Sequence, residues 1–218
     1  MTEPAPIHIS VVLDRSGSMR PLARYAVNGF NQFMAEQRRK PGAARATLAQ
    51  FDSEGPFEVL IDGVDLRLVP DLDISRYEPR GLTPLYDAVG QMIERLDADI
   101  AERAGRGLPE EDQLVAIITD GLENHSSRFD RRQVFGLIEE RRRAGWAFVF
   151  LGADQDTYAA GARIGVAPQA RVDWKKDPEG IMKMWDDLSY SAALHRLKPR
   201  AQRRREADDV HTERPEGE

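Results

Sequence analysis

The sequence predicts an α/β protein: a doubly wound, mainly parallel sheet flanked by helices on both faces, with an antiparallel hairpin at one edge. Three observations lead to this class. The runs Ile7 to Leu13 (IHISVVL), Leu114 to Thr119 (LVAIIT) and Trp146 to Leu151 (WAFVFL) are short and mostly apolar, the pattern of strands covered on both sides. Segments of helical periodicity separate them, and strands alternating with helices build a parallel sheet. The 218 residues suit one domain of this kind, with 41% hydrophobic and 31% charged residues and no apolar run near the roughly 20 needed to span a bilayer.

Taken in order, the first strand ends at Asp14, and from Pro21 the residues Leu22, Tyr25, Ala26, Phe30 and Phe33 share one helical face. Thr47 to Phe51 and Phe57 to Leu66, joined by the turn-like Ser53 to Pro56, read as the edge hairpin. An irregular stretch through Pro70, Pro79 and Gly81 leads to a helix with Leu85, Ala88, Val89, Met92, Ile93 and Leu96 on one face. Thr83 suits its N-cap and Pro84 its first position. After the second apolar strand, Asp130 and Gln133 resemble a capping box for a helix that Gly145 stops. A short helix is expected over Thr157 to Ile164, an edge strand over Ala170 to Asp173, and a last amphipathic helix through Ile181, Met184, Trp185, Leu188 and Ala192. The boundaries predicted are an N-terminal extension over residues 1–6, one domain over 7–197, and a charged, disordered tail over 198–218 whose mixed charges offer little apolar surface to bury.

Composition excludes several chemistries. Without cysteine there are no disulfides, thiolate metal sites or cysteine nucleophiles, so any metal must be held by oxygen or imidazole. A net charge of -6 opposes general adhesion to nucleic acid, and the acids beside Arg203, Arg204 and Arg205 cancel that triplet's field. Residues 1–6 lack the basic and apolar regions of a signal peptide, so a cytoplasmic location away from membranes is expected.

In a doubly wound sheet ligands bind beyond the carboxyl ends of the strands, where the winding reverses. There the sequence places Asp14-Arg15-Ser16-Gly17-Ser18 after the first strand, Asp120 after the second apolar strand, and Thr83 at a helix start. These hard oxygen donors of modest charge suit Mg²⁺ or Mn²⁺ better than Zn²⁺. The alternative for each residue is structural: Ser18 and Thr83 as helix caps, Asp14 and Asp120 as turn formers. Asp87 reads as complementing its helix dipole. Asp52, Asp154 and Asp156 also stand near strand ends, and their part in the site is left open; His125 reads as a solvated loop residue.

The motifs D-R-S-G-S-M at 14 to 19, G-L-T-P-L-Y-D-A at 81 to 88 and I-T-D-G at 118 to 121 resemble those of the von Willebrand factor type A family, over about Ile7 to His195. The resemblance implies a Rossmann-like fold and a metal-ion-dependent adhesion site, with hydroxyls from Ser16, Ser18 and Thr83 and carboxylates from Asp14 and Asp120. It further implies a non-enzymatic module in which a protein partner's Asp or Glu completes the metal's shell. The stand-alone, cysteine-free chain is most similar to small bacterial members associated with tellurium resistance and stress response. The enzymatic alternative is a phosphohydrolase of the haloacid-dehalogenase kind, which needs a second Asp two residues after the first, where this chain has Ser16. No G-x-S-x-G elbow, P-loop or G-x-G-x-x-G fingerprint is present.

Overall fold

Eight consecutive buried residues, Ile7–Asp14, form β1 and lie inside a six-stranded sheet of order β3-β2-β1-β4-β5-β6. This computed structural model describes residues 5–215; residues 1–4 and 216–218, the outer parts of the expected extension and tail, lie outside the described residues. β2 (Ala44–Phe51) and β4 (Asp112–Thr119) flank β1 in parallel, and β5 (Ala147–Ala153) and β6 (Arg171–Trp174) extend the parallel run. β3 (Glu58–Asp65) closes the other edge antiparallel to β2. The doubly wound α/β class, edge hairpin included, is the architecture observed.

The unbroken burial of β1 follows from its place between two helical layers. Ile9, Val11 and Leu13 pack into the layer of α1 (Ala23–Arg38) and α5 (Pro178–Leu197), whereas Val12 joins the layer of α2 (Leu85–Gly105), α3 (Arg131–Arg143) and α4 (Asp154–Arg163). Gly29 lets α1 approach α5, since a Cβ there would stand 2.0 Å from Trp185 Cδ1. The indole accordingly packs against Phe30 and Phe33, with ring centroids 6.1 and 5.8 Å away. Both halves of the Asp130–Gln133 capping box form at the start of α3. The residues from Gly17 to Leu22, Pro21 included, make a 3-10 turn, so α1 begins slightly later than periodicity suggests.

The segment after Lys198 departs from the mobile tail that composition predicts. α6 (Arg200–Arg205) packs at the amino end of the sheet, where the 1%-exposed Arg203 lies 3.1 Å from Asp112 and donates to the Ala5 carbonyl at 2.7 Å. Arg200 and Arg204 reach the same carboxylate at 3.0 and 3.2 Å, while Ala207 and Val210 join the α1/α5 layer. These arginines are counter-ions to an acid buried at the start of β4, a pairing across about ninety residues of chain that composition alone does not reveal. Arg203→Ala is expected to lower unfolding free energy by about 2 to 4 kcal/mol, since a buried charge loses part of its compensation. An unchanged urea midpoint would show that α6 is peripheral.

His8, on β1, is also buried, with Nε2 2.8 Å from Thr47 Oγ1. Burial, aided by the positive charge of Arg45, lowers its pKa from 6.5 to about 4. Because the folded value lies below the unfolded one, neutral His8 contributes stability that is full above pH 6.5 and lost as pH falls toward 4. His8→Gln is expected to flatten the fall in stability across that window, measured by urea unfolding at neutral pH and at about pH 5. His195, likewise lowered to about 4 by burial, and His211, lowered in the same direction by burial, keep a slope of the same sign.

Candidate functional site

From β1 the sheet grows in one direction through β2 and in the other through β4, so the winding reverses between β1 and β4. Asp14 ends the first of these strands and Asp120 follows the second. Backbone hydrogen bonds sew the neighbouring loops together: Arg15 N to Phe51 O at 2.8 Å, Arg80 N to Arg15 O at 2.9 Å, Gly17 N to Gly81 O at 3.1 Å, and Asn124 N to Thr83 O at 3.1 Å. Gly81 adopts φ +61, and a Cβ there would meet Ser53 Oγ at 2.4 Å, so glycine is what lets this crossing form. Three loops distant in sequence thereby share one rigid frame.

Asp14 is fully buried. Its Oδ1 accepts from Ser16 N at 2.7 Å and its Oδ2 from Thr119 Oγ1 at 2.6 Å, while the Tyr77 hydroxyl donates to its backbone carbonyl. Burial pushes its pKa from 3.8 to about 7; the two hydrogen bonds oppose the rise and the Asp120 charge adds a smaller upward push. Ser16 Oγ lies 3.1 Å from Ser18 Oγ, and Ser18 donates to Asp120 Oδ1 at 2.6 Å. The other oxygen of Asp120, Oδ2, is buried and receives no hydrogen bond of good geometry among the described residues, although the ammonium of Lys176 stands 2.9 Å away. Thr83 and Ser18 both border Gly121, where a Cβ would lie 3.3 Å from Thr83 Oγ1 and 3.9 Å from Ser18 Oγ. Asp14, Ser16, Ser18, Thr83 and Asp120 are thus brought to one place.

One local reading needs correction, and the open ones can be closed. Thr83 does not cap α2: the N-cap is Pro84, without a side-chain bond. The β4–α3 loop covers that end instead, as Glu123 accepts from Tyr86 N at 2.9 Å and Ser126 Oγ from Asp87 N at 3.0 Å. Thr83 N donates to Asn124 Oδ1 at 2.8 Å, so its hydroxyl carries no capping duty. Asp87 stands in the first turn of α2, but its carboxylate is occupied by the amides of Ser127, Arg128 and Phe129. Asp52 accepts from Glu54 N and Gly55 N and pairs with Arg15 and Arg80, making it a brace for the loop after β1. Among the described residues no bond joins Asp154 or Asp156 to the Asp14–Asp120 group; Asp154 opens α4 with φ 67. His125 is exposed, as read.

Thr119, Tyr77 and Lys176 were not singled out from the sequence. Thr119 had a signal, since it stands in the I-T-D-G motif next to Asp120, but Tyr77 and Lys176 arrive from segments with no motif. A second group, His8 with Asp99 and Glu111, gathers possible ligand atoms at the opposite end of the sheet. There Arg45 bonds both carboxylates and Arg103 lies 3.2 Å from Glu111, so guanidinium groups already neutralise the acids.

No family model and no curated protein matches this sequence. Solved structures match in shape, among them the pilus adhesin SpaC of Lactobacillus rhamnosus GG, with a TM-score of 0.65, 14% identity, and 88% of this chain and 31% of that one covered. A von Willebrand factor type A protein from Catenulispora acidiphila matches with TM-score 0.58 and 12% identity over 87% of this chain and 43% of that one. The fold is von Willebrand factor type A-like. Manganese-loaded TRAP protein of Plasmodium vivax shares it with TM-score 0.52 and 14% identity over 84% of this chain and 74% of that one. At these identities the likeness concerns the type A fold itself, and this chain spans less than half the length of the first two proteins.

Replacing Asp14 by Asn removes a buried charge while leaving an acceptor for Ser16 N and an amide that Thr119 can accept. In EDTA at about pH 8 the variant is expected to melt no lower than wild type. A clear drop would show that the Asp14 charge itself holds this end of the sheet together.

Proposed function

We propose that this chain is a non-enzymatic, divalent-metal-dependent interaction module that binds an Asp or Glu side chain of a protein partner. The observation that carries the reading is the meeting of Asp14, Ser16, Ser18, Thr83 and Asp120 at the reversal of winding, with a buried Asp120 oxygen left without a good hydrogen bond. The bare Gly121 adds support, because a side chain there would crowd the space beside the Thr83 and Ser18 hydroxyls. The donor set is all oxygen, with two acids and three neutral hydroxyls, and so fits Mg²⁺ or Mn²⁺. When bound, the ion supplies a hard Lewis-acidic centre at which an external carboxylate can complete the coordination.

The chain's own residues prepare that end of the molecule. Ser16 N and Thr119 hold Asp14 in place, and Ser18 holds Asp120. Leu82 and Leu122, 47% and 42% exposed, stand next in sequence to Thr83 and Gly121, so the acid recognised lies among apolar residues of the partner. Two proteins that share the fold, a pilus adhesin and a manganese-loaded protein, point the same way. The phosphohydrolase alternative finds no support, because Ser16 stands where the second acid belongs.

The motif resemblance supports a kinship with small bacterial proteins associated with tellurium resistance and stress response, and the net charge of -6 argues against a nucleic-acid partner. Among the described residues no helix is long and apolar enough to cross a membrane.

Because the donors come from three separate loops, Mg²⁺ at ten times its dissociation constant is expected to add about 1.4 kcal/mol of stability. That corresponds to a rise of roughly 3 to 6 °C in melting temperature for a domain of this size. Identical melting curves in EDTA and in excess Mg²⁺ or Mn²⁺ would overturn the reading. Capture of partners with and without EDTA tests the interaction separately.

A further inference from the structure

Asp120 already has a cation beside it. Lys176 places its ammonium 2.9 Å from the buried Oδ2 of Asp120 and donates to the backbone carbonyl of the same residue at 3.3 Å. The lysine does not arrive from a loose loop. It follows Trp174 at the end of β6 and precedes Asp177, whose side chain caps α5 by accepting from Gly180 N at 2.7 Å. The turn is tight, with Asp177 N donating to Lys175 O at 2.8 Å and the site of a Gly180 Cβ only 2.1 Å from that same oxygen. The backbone bearing Lys176 is therefore held, while its side chain keeps 36% exposure and a path toward solvent.

An ammonium and a divalent ion cannot both take full advantage of one carboxylate. The charges repel, and Lys is a compact, strongly hydrated point charge that readily exchanges a contact for water. We propose that Lys176 is a built-in competitor of the divalent cation: it neutralises Asp120 in the metal-free protein and releases it on metal binding, so that it sets the cation concentration at which the site loads. This rests on the metal-dependent reading of the same residues. It also gives the metal-free protein a stable resting state, since Asp120 never lacks a counter-ion. Once released, the ammonium stands at the rim of the site, where it attracts an acidic partner only in the loaded form. Lys176 thus couples metal loading to recognition as a positioning residue that touches neither partner in the resting state.

The test uses the full chain and Mn²⁺ alone, with binding followed by calorimetry and by the loss of the free-ion paramagnetic resonance signal. Lys176→Met keeps the aliphatic stem and removes the charge. It is expected to tighten Mn²⁺ binding about tenfold and to lower the melting temperature in EDTA, widening the gap between metal-free and loaded protein. Lys175→Met is the control, because it removes the same charge one residue away from a side chain that makes no ion pair with Asp120 among the described residues. Tightening confined to Lys176→Met supports the competition. Equal affinity of wild type and Lys176→Met, or equal tightening by Lys175→Met, overturns it and leaves the metal reading standing. Absence of Mn²⁺ binding in wild type and both variants overturns the two together, whereas binding by Lys176→Met alone supports both.

Discussion

A carboxylate held out of reach of water organises the functional end of this protein. A buried charge or acid is tolerated only where donors surround it, and Asp14 obtains them from two directions. The Ser16 amide comes from its own chain and fixes the turn after β1; the Thr119 hydroxyl comes from β4 and ties the two strands between which the winding reverses. Tyr77, whose phenol burial keeps protonated well above its usual range, clamps the Asp14 carbonyl from the irregular segment before α2. Satisfying one side chain thus recruits the loops that also carry Ser18, Thr83 and Asp120. Arg15, paired with Asp52 and Glu58, turns the next residue of the same loop toward the edge strands and completes the anchorage.

Acidic residues meet two kinds of counter-ion in this protein. At the amino end, Arg45 and Arg103 neutralise Glu111, Arg45 also bonds Asp99, and α6 sends three arginines to Asp112. Planar guanidinium groups with several donors saturate carboxylates and leave nothing for a ligand. At the carboxyl end Asp52 is held by Arg15 and Arg80 in the same way, whereas Asp14 and Asp120 meet hydroxyls, a backbone amide and a single lysine. Neutral donors and one exchangeable ammonium leave an acid able to take another partner. This contrast in counter-ion chemistry, more than the number of acids, separates a structural network from a binding site.

The fold was legible because its signals are local. β1, β4 and β5 are buried on both faces, and that is written in the mostly apolar runs IHISVVL, LVAIIT and WAFVFL. The Asp130–Gln133 capping box spans three residues and forms as read. Where a local signal had two uses, the surroundings chose between them. Thr83 before Pro84 looks like a cap, yet Glu123 and Ser126 from the β4–α3 loop cover the start of α2. The segment after Lys198 has too little apolar surface to order itself, but Asp112 offers it a buried charge to neutralise.

The sequence by itself determined the order of strands and helices, the edge hairpin, and the positions of Asp14, Ser16, Ser18, Thr83 and Asp120 at strand ends and loops, since each depends on periodicity, β-branching or a short spacing. Only the tertiary structure decided what surrounds those oxygens. That Asp14 is fully buried, that Thr119 and Tyr77 serve it, and that Lys176 reaches Asp120 across 56 residues of chain all depend on which strands become neighbours. The physical reason is range: apolar periodicity is a property of adjacent residues, whereas the counter-ion of a buried acid is selected by distance in space. A segment without a motif can carry that counter-ion as well as one with it.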